Sequence, residues 1–300
     1  MKHRTKALVA VVCALALTGA FALVGCSGSS SSSSSSSSAA SSSQAASSSS
    51  QKVELQIFAA NSLEKALPEV QALYTQKHPN VTFSDTQFKA SGDLVAQLQS
   101  GASADAFIAA STSSMDSASK NGSIDDSTRA DMFLNDLVVC ASQNSGITIS
   151  SVEDLGTSSD VNSIAIGEPN TVPAGKYAVQ SLETAGLCTT TTDADGKISV
   201  TYNDSVANKM NDGADKVGTV ASYVKQGQCD VGFVYSSDIY RYDGIQAILT
   251  VPANYHKAIK YPGAVCTSSK NAETAKDFLN FCTTDPEAQQ IFAKYGFELA

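Results

Sequence analysis

The sequence predicts an α/β protein built as two lobes, with strands that cross between them. Three observations carry this expectation. From Val53 onward, short apolar runs alternate with stretches of helical periodicity. The alternation restarts near DLVVCAS, residues 136–142. And about 250 residues of such units are more than one sheet ordinarily takes up.

In chain order, VELQIFA reads as a buried strand, after which Leu63, Ala66, Leu67, Val70, Leu73 and Tyr74 share one helical face. Pro68 falls inside that helix, so a kink or a short first turn is expected there. VTFSD is a second strand, Leu94, Val95 and Leu98 mark another helix, and AFIAA is a third strand before a helix from about Ser111. In the second half DLVVCAS and SIAIG are strand-like, with VEDLG between them. AGKYAVQSLETAG is a helix stopped by Gly186. KISVTY, a helix over residues 216–226, CDVGFVY, IQAILTV and YPGAVCTS follow, then two closing helices. The rhythm predicts parallel sheets covered by helices on both faces, with YPGAVC returning beside DLVVCAS. Lobe 1 is then 52–137 plus about 241–300, and lobe 2 is about 138–240.

Residues 1–26 have a basic start, an apolar run and small residues before Cys26, the pattern of a secretory signal. Its ending, Leu23 to Cys26, resembles a bacterial lipobox, which implies cleavage before Cys26 and acylation of that residue. Residues 27–51 are almost entirely Ser, Ala and Gln. Such a segment cannot bury enough apolar surface to offset chain entropy and is expected to be a disordered tether. About 25 flexible residues reach roughly 25–30 Å, which keeps a domain close to a membrane but clear of it.

The whole chain carries −9. Residues 1–26 hold Lys2, Arg4 and Lys6 and no acid, leaving 17 bases against 29 acids, near −12. That balance argues against nucleic acid as a partner. Cys140, Cys188, Cys229, Cys266 and Cys282 remain in the body, with no Cys-x-x-Cys and only His78 and His256 beside them. A zinc or redox centre is hard to assemble from that set. One or two structural disulfides are expected, with Cys188–Cys229 the preferred pair.

Four strand-to-helix junctions share one chemical character. FAANSLEKAL places Ser62 between a strand and a helix, and FKASGDLVAQL does the same with Ser91 and Gly92. EPNTVPAGKYA puts Ala174 and Gly175 at a helix start, and GADKVGTVASYV puts Val217 at another. Hydroxyls or bare amides thus sit where the helix dipole is positive, a ready place for an anion. Any one junction is explained by ordinary capping; four in one chain suggest a shared ligand. Tyr235, in VGFVYSSD, ends a strand from which its hydroxyl can reach a cleft.

These stretches, with SGASADAFIAAS, NDLVVCA, IKYPGAVC and IFAKYGFEL, resemble the molybdate-binding lipoproteins of ABC importers. The resemblance covers nearly all of residues 53–300 and implies the type II periplasmic-binding fold: two Rossmann-like lobes with a ligand cleft between them. It implies a tetrahedral oxyanion, molybdate or tungstate, held by Ser62, Ser91, Ala174, Val217 and Tyr235. The Gly92 amide is an alternative to Ser91, and Val206 an alternative to Val217, because residues 189–217 are longer than the family pattern. It further implies an ABC permease as partner, a monomer anchored outside the cytoplasm through Cys26, and no cofactor or direct metal-ion ligand.

The chemistry is coherent by itself. Molybdate is a dianion without protons, so its oxygens only accept hydrogen bonds. Ser, Tyr and backbone N–H groups supply donors without a cation, whereas a pocket carboxylate would favour a protonated oxyanion. Asp93, Glu168 and Asp215 lie near these loops and are expected to face solvent or cap helices. Sulfate, phosphate or another small anion is the alternative ligand. A serine hydrolase is the other class weighed, but there is no G-x-S-x-G, no P-loop and no G-x-G-x-x-G.

Overall fold

The computed structural model describes residues 52–300; the signal segment, Cys26 and the Ser-rich tether lie outside the described residues. The chain opens with β1 (Val53–Leu55), β2 (Ile57–Ala60), α1 (Ala66–Lys77), β3 (Val81–Phe83), β4 (Gln87–Lys89), α2 (Ser91–Gln99), β5 (Ala106–Ile108), α3 (Thr112–Lys120) and β6 (Ala130–Asn135). A second series follows: β7 (Leu137–Ser142), α4 (Asp154–Thr157), β8 (Ile164–Gly167), α5 (Pro173–Thr184), β9 (Cys188–Thr192), β10 (Ile198–Tyr202), β11 (Met210–Ala214), α6 (Val217–Lys225), β12 (Val231–Tyr235), α7 (Ser236–Arg241) and β13 (Ile245–Thr250). The chain closes with β14 (Ile259–Val265), α8 (Ala272–Thr284), α9 (Pro286–Lys294) and β15 (Glu298–Leu299).

Two main sheets result, ordered β15-β6-β14-β5-β2-β4 and β11-β8-β12-β7-β13. Only part of each is parallel. β4, β2 and β5 run together, as do β11, β8 and β12, while β6, β7, β13 and β14 join antiparallel. The all-parallel expectation fails at the strands that carry the chain between sheets, because each runs back against its neighbours.

YPGAVC does not return beside DLVVCAS. It lies in β14, between β5 and β6, where Gly263 faces both Ile108 and Ala130. The neighbours of β7 are β12 and β13, so the second sheet continues to Thr250, beyond the expected return at about residue 241. The crossings are Asp136, alone between β6 and β7, and residues 251–258. β6 carries Asp131 and Asn135 among its apolar residues and lacks a clean strand signature. VELQIFA is two strands, because the Gln56 N–H leaves the ladder and donates to the Asp105 carboxylate at 2.8 Å. KISVTY pairs only with β9, as a hairpin outside the main sheet; β11 is the edge strand instead. Pro68 sits in the first turn of α1, where its missing N–H breaks no helical bond, and the helix runs on to Lys77.

The expected disulfides are absent. All five cysteines of the described residues are free and buried. Cys188 Sγ lies 3.7 Å from the Val179 carbonyl, and Cys229 Sγ lies 3.7 Å from Asn211 Nδ2. They pack as small apolar side chains in separate surroundings.

Candidate functional site

Two kinds of helix start occur in the fold. Ser111 caps α3 by accepting the Ser114 N–H at 3.1 Å, and Asp285 caps α9 by accepting the amides of Glu287 and Ala288. Like α1, α4 and α8, the starts of α2, α5 and α6 have no side-chain cap, nor does the one-turn 3-10 helix Asn61–Leu63 after β2. The starts of α2, α5, α6 and the 61–63 turn meet. Ser62, Ser91, Ala174, Val217 and Tyr235 line one small cavity, together with Asn61 and Lys89. Ser62 and Ser91 come from the first sheet's side, the other three predicted residues from the second's. All five are buried, Tyr235 to 1% exposure.

Each donor has a local reason to be available. Pro173 opens α5 and cannot donate, so Ala174 carries its first N–H. Among the described residues no protein acceptor faces the Ala174 or Val217 amide. The Ser91 Oγ accepts the Ala110 N–H at 3.0 Å, which leaves its own hydrogen for the cavity. The Ser62 Oγ lies 2.8 Å from the Tyr261 hydroxyl. The Tyr235 hydroxyl has no hydrogen-bond partner. Burial holds the Tyr235 and Tyr261 hydroxyls well above the usual tyrosine range, so both keep their protons.

The two open alternatives fall differently. The Gly92 N–H donates across the cleft to the Thr171 carbonyl at 2.9 Å. A Cβ at Gly92 would stand 2.7 Å from the Thr171 backbone, so this glycine serves the contact between the lobes. Val206 is buried in the core and does not line the cavity. Gly175, beside Ala174 at the same helix start, does not line the cavity. Its Cβ would lie 2.0 Å from the Gly167 carbonyl oxygen, so its smallness lets α5 pack on β8 and does not serve a ligand.

Carboxylates stay out of the cavity lining. Glu168 accepts bonds from the Asn170 amide and the Thr171 hydroxyl, and Asp215 accepts from Thr219. Asp93 is half-buried; burial raises its pKa, opposed by Lys89. Sequence reasoning expected a site without cations, and here the structure differs. Lys89 is at the cavity edge, and Arg241, with a side chain 1% exposed, stands behind the 61–63 turn. Arg241 donates to the Asn61 backbone carbonyl and pairs with Asp238 at 2.6 Å. Asn61 was missed as well: its Oδ1 accepts the Gly218 N–H at 3.1 Å, joining the two sides of the cleft. Its adjacency to Ser62 in FAANSLEKAL was the available signal. Arg241 lies outside every quoted motif and offered none.

The arrangement is a small cavity of hydroxyl and amide donors, with Lys89 at its edge and Arg241 behind the 61–63 turn. It can hold a small acceptor-rich anion, and it lacks the paired nucleophile and base of covalent catalysis. The chain is 32% identical to the molybdate-binding protein ModA of Escherichia coli over 249 residues, 82% of this chain and 89% of that one. It is 29% identical to ModA of Haemophilus influenzae, over 81% and 89% of the two chains. The periplasmic molybdate-binding protein of Azotobacter vinelandii superposes with a TM-score of 0.66 over 82% of this chain and 99% of that one. At 22% identity that likeness speaks for the fold alone, the two-lobed type II periplasmic-binding fold. Residues 55–298 match the bacterial extracellular solute-binding protein family, and the chain belongs to it.

Proposed function

We infer that this protein captures molybdate, or tungstate, in the cavity between its lobes and hands it to an ABC permease without chemical turnover. One observation carries the reading furthest: the buried Tyr235 hydroxyl has no protein partner in a cavity that also holds the unpartnered Ala174 and Val217 amides. A buried donor left unmade costs about 1–3 kcal/mol, so such a cluster is stable when a ligand completes it. With the Ser62 and Ser91 hydroxyls the set offers five donors and no acceptor carboxylate, which suits a fully deprotonated oxyanion. The ModA relatives are named for molybdate, which supports that anion over sulfate. Acylation of Cys26 and the Ser-rich tether would hold the receptor outside the cytoplasm, beside its permease.

Calorimetric titration of anion-free protein with molybdate, tungstate, sulfate and phosphate tests this. Molybdate and tungstate should bind much more tightly than the other two; tighter sulfate or phosphate would overturn the choice of ligand.

A further inference from the structure

Behind Ser62 lies a chain of hydrogen bonds with a fixed direction. It starts at Asn135, the last residue of β6, beside the crossing. Asn135 Oδ1 accepts the Asp136 N–H at 3.0 Å, the Ser236 hydroxyl at 2.8 Å and the Ser237 N–H at 3.4 Å. Backbone N–H groups only donate, so they fix which end of the amide is oxygen. The Nδ2 end therefore faces Ser237 Oγ at 2.8 Å and the Tyr261 hydroxyl at 3.3 Å, one hydrogen to each. Tyr261 accepts there and must place its single hydrogen elsewhere. Its other partner is Ser62 Oγ, at 2.8 Å. Ser62 accepts that hydrogen and turns its own into the cavity.

We propose that Asn135 and Tyr261 are positioning residues that make Ser62 an obligate donor and so set selectivity against oxyanions that carry a proton. The inference rests on the oxyanion reading above and deepens it. Ser91 has the same polarity, imposed by the Ala110 N–H. A ligand such as hydrogen phosphate brings one P–OH whose hydrogen meets donors on every side. A site built for one hydrogen-bond polarity rejects the other strongly, because buried groups are left unpaired. Sulfate, like molybdate, carries no proton, so the device separates phosphate from sulfate and does not act on the choice between sulfate and molybdate.

The test measures affinities for molybdate, sulfate and phosphate in mildly alkaline buffer, where all three are dianions, for the wild type, Tyr261→Phe and Asn135→Asp. In Tyr261→Phe, Ser62 is free to accept, and the phosphate-to-sulfate affinity ratio should rise about tenfold. Asn135→Asp keeps the accepting oxygen but draws the Tyr261 hydrogen away, which lets Ser62 turn its lone pairs to the cavity. Its added charge acts on all three dianions alike, so the ratio should again rise, and by more. It also serves if Tyr261→Phe does not fold. A ratio unchanged in the folded variants, whether affinities hold or fall by a common factor, overturns the proposal. A wild type that binds none of the three oxyanions overturns the underlying reading as well, and is distinguishable from that result.

Discussion

The Oδ1 of Asn61 accepts the backbone N–H of Gly218 at 3.1 Å across the cleft, next to both Ser62 and Val217. The bond joins the two sides of the cleft beside the cavity, so Asn61 is placed to hold them together. A Cβ at Gly218 would run into the Tyr242 hydroxyl and stand 2.8 Å from that oxygen, which is why the position is glycine. Replacing Asn61 with Ala leaves the Gly218 amide and an Arg241 N–H unpartnered in the closed form. Anion affinity should fall roughly 10- to 100-fold, corresponding to about 1–3 kcal/mol. Because closure is common to all ligands, the order of anions in the titration should not change.

Tyr235→Phe separates binding from stability. Its hydroxyl has no protein partner, so removing it should leave the thermal midpoint of anion-free protein unchanged or slightly raised. Molybdate affinity should drop by about 1–3 kcal/mol. A variant that loses stability and keeps its affinity would remove Tyr235 from the site.

The pH dependence of binding should be nearly flat from weakly acidic to alkaline solution. Burial raises the pKa of both Tyr235 and Tyr261, and the five proposed donors otherwise comprise serine hydroxyls and amides that do not titrate, with Lys89 only at the edge. Calorimetry across that range checks it; a sharp fall near neutrality would place a titrating group in the cavity.

Stability should fall on the acid side, in part through Asp285. Its hydrogen bond with Lys77, followed by those from the Ala288 and Glu287 amides, holds its pKa below the usual aspartate value. A depressed folded pKa gives stability that is present above the unfolded value, near 4, and lost as pH falls through the folded one. Asp285→Ala should cost about 1 kcal/mol at neutral pH and flatten the acid limb of a plot of thermal midpoint against pH.

The thiols give a check on packing. Burial pushes Cys188 up to about 11 and Cys266 up to about 12, and all five are unpaired. Native protein should react slowly with a thiol reagent, and denatured protein should release five thiols from residues 52–300 without prior reduction.

The junctions were legible because uncapped starts, Ser62 after a strand and Pro173 before Ala174 are local features. Whatever depended on distant partners was not. Gly175 shares its helix start with Ala174, yet its smallness answers to the Gly167 carbonyl oxygen, 2.0 Å from where its Cβ would stand. β6 was hidden by its polar residues, and with it the true neighbours of YPGAVC. Arg241 and Tyr261 reach the site from 180 and 199 residues away in sequence, by contacts that no spacing announces. Cysteine count suggested bridges, whereas burial in separate places left each thiol alone.

In the proposed function one cavity, completed by donors from both lobes, holds the anion. Anomalous diffraction from crystals grown with molybdate is the decisive measurement. A single molybdenum peak is expected inside the cavity, its oxygens within hydrogen-bond distance of the Ser62, Ser91 and Tyr235 hydroxyls and the Ala174 and Val217 amides. A peak elsewhere, or none at saturating molybdate, would contradict it.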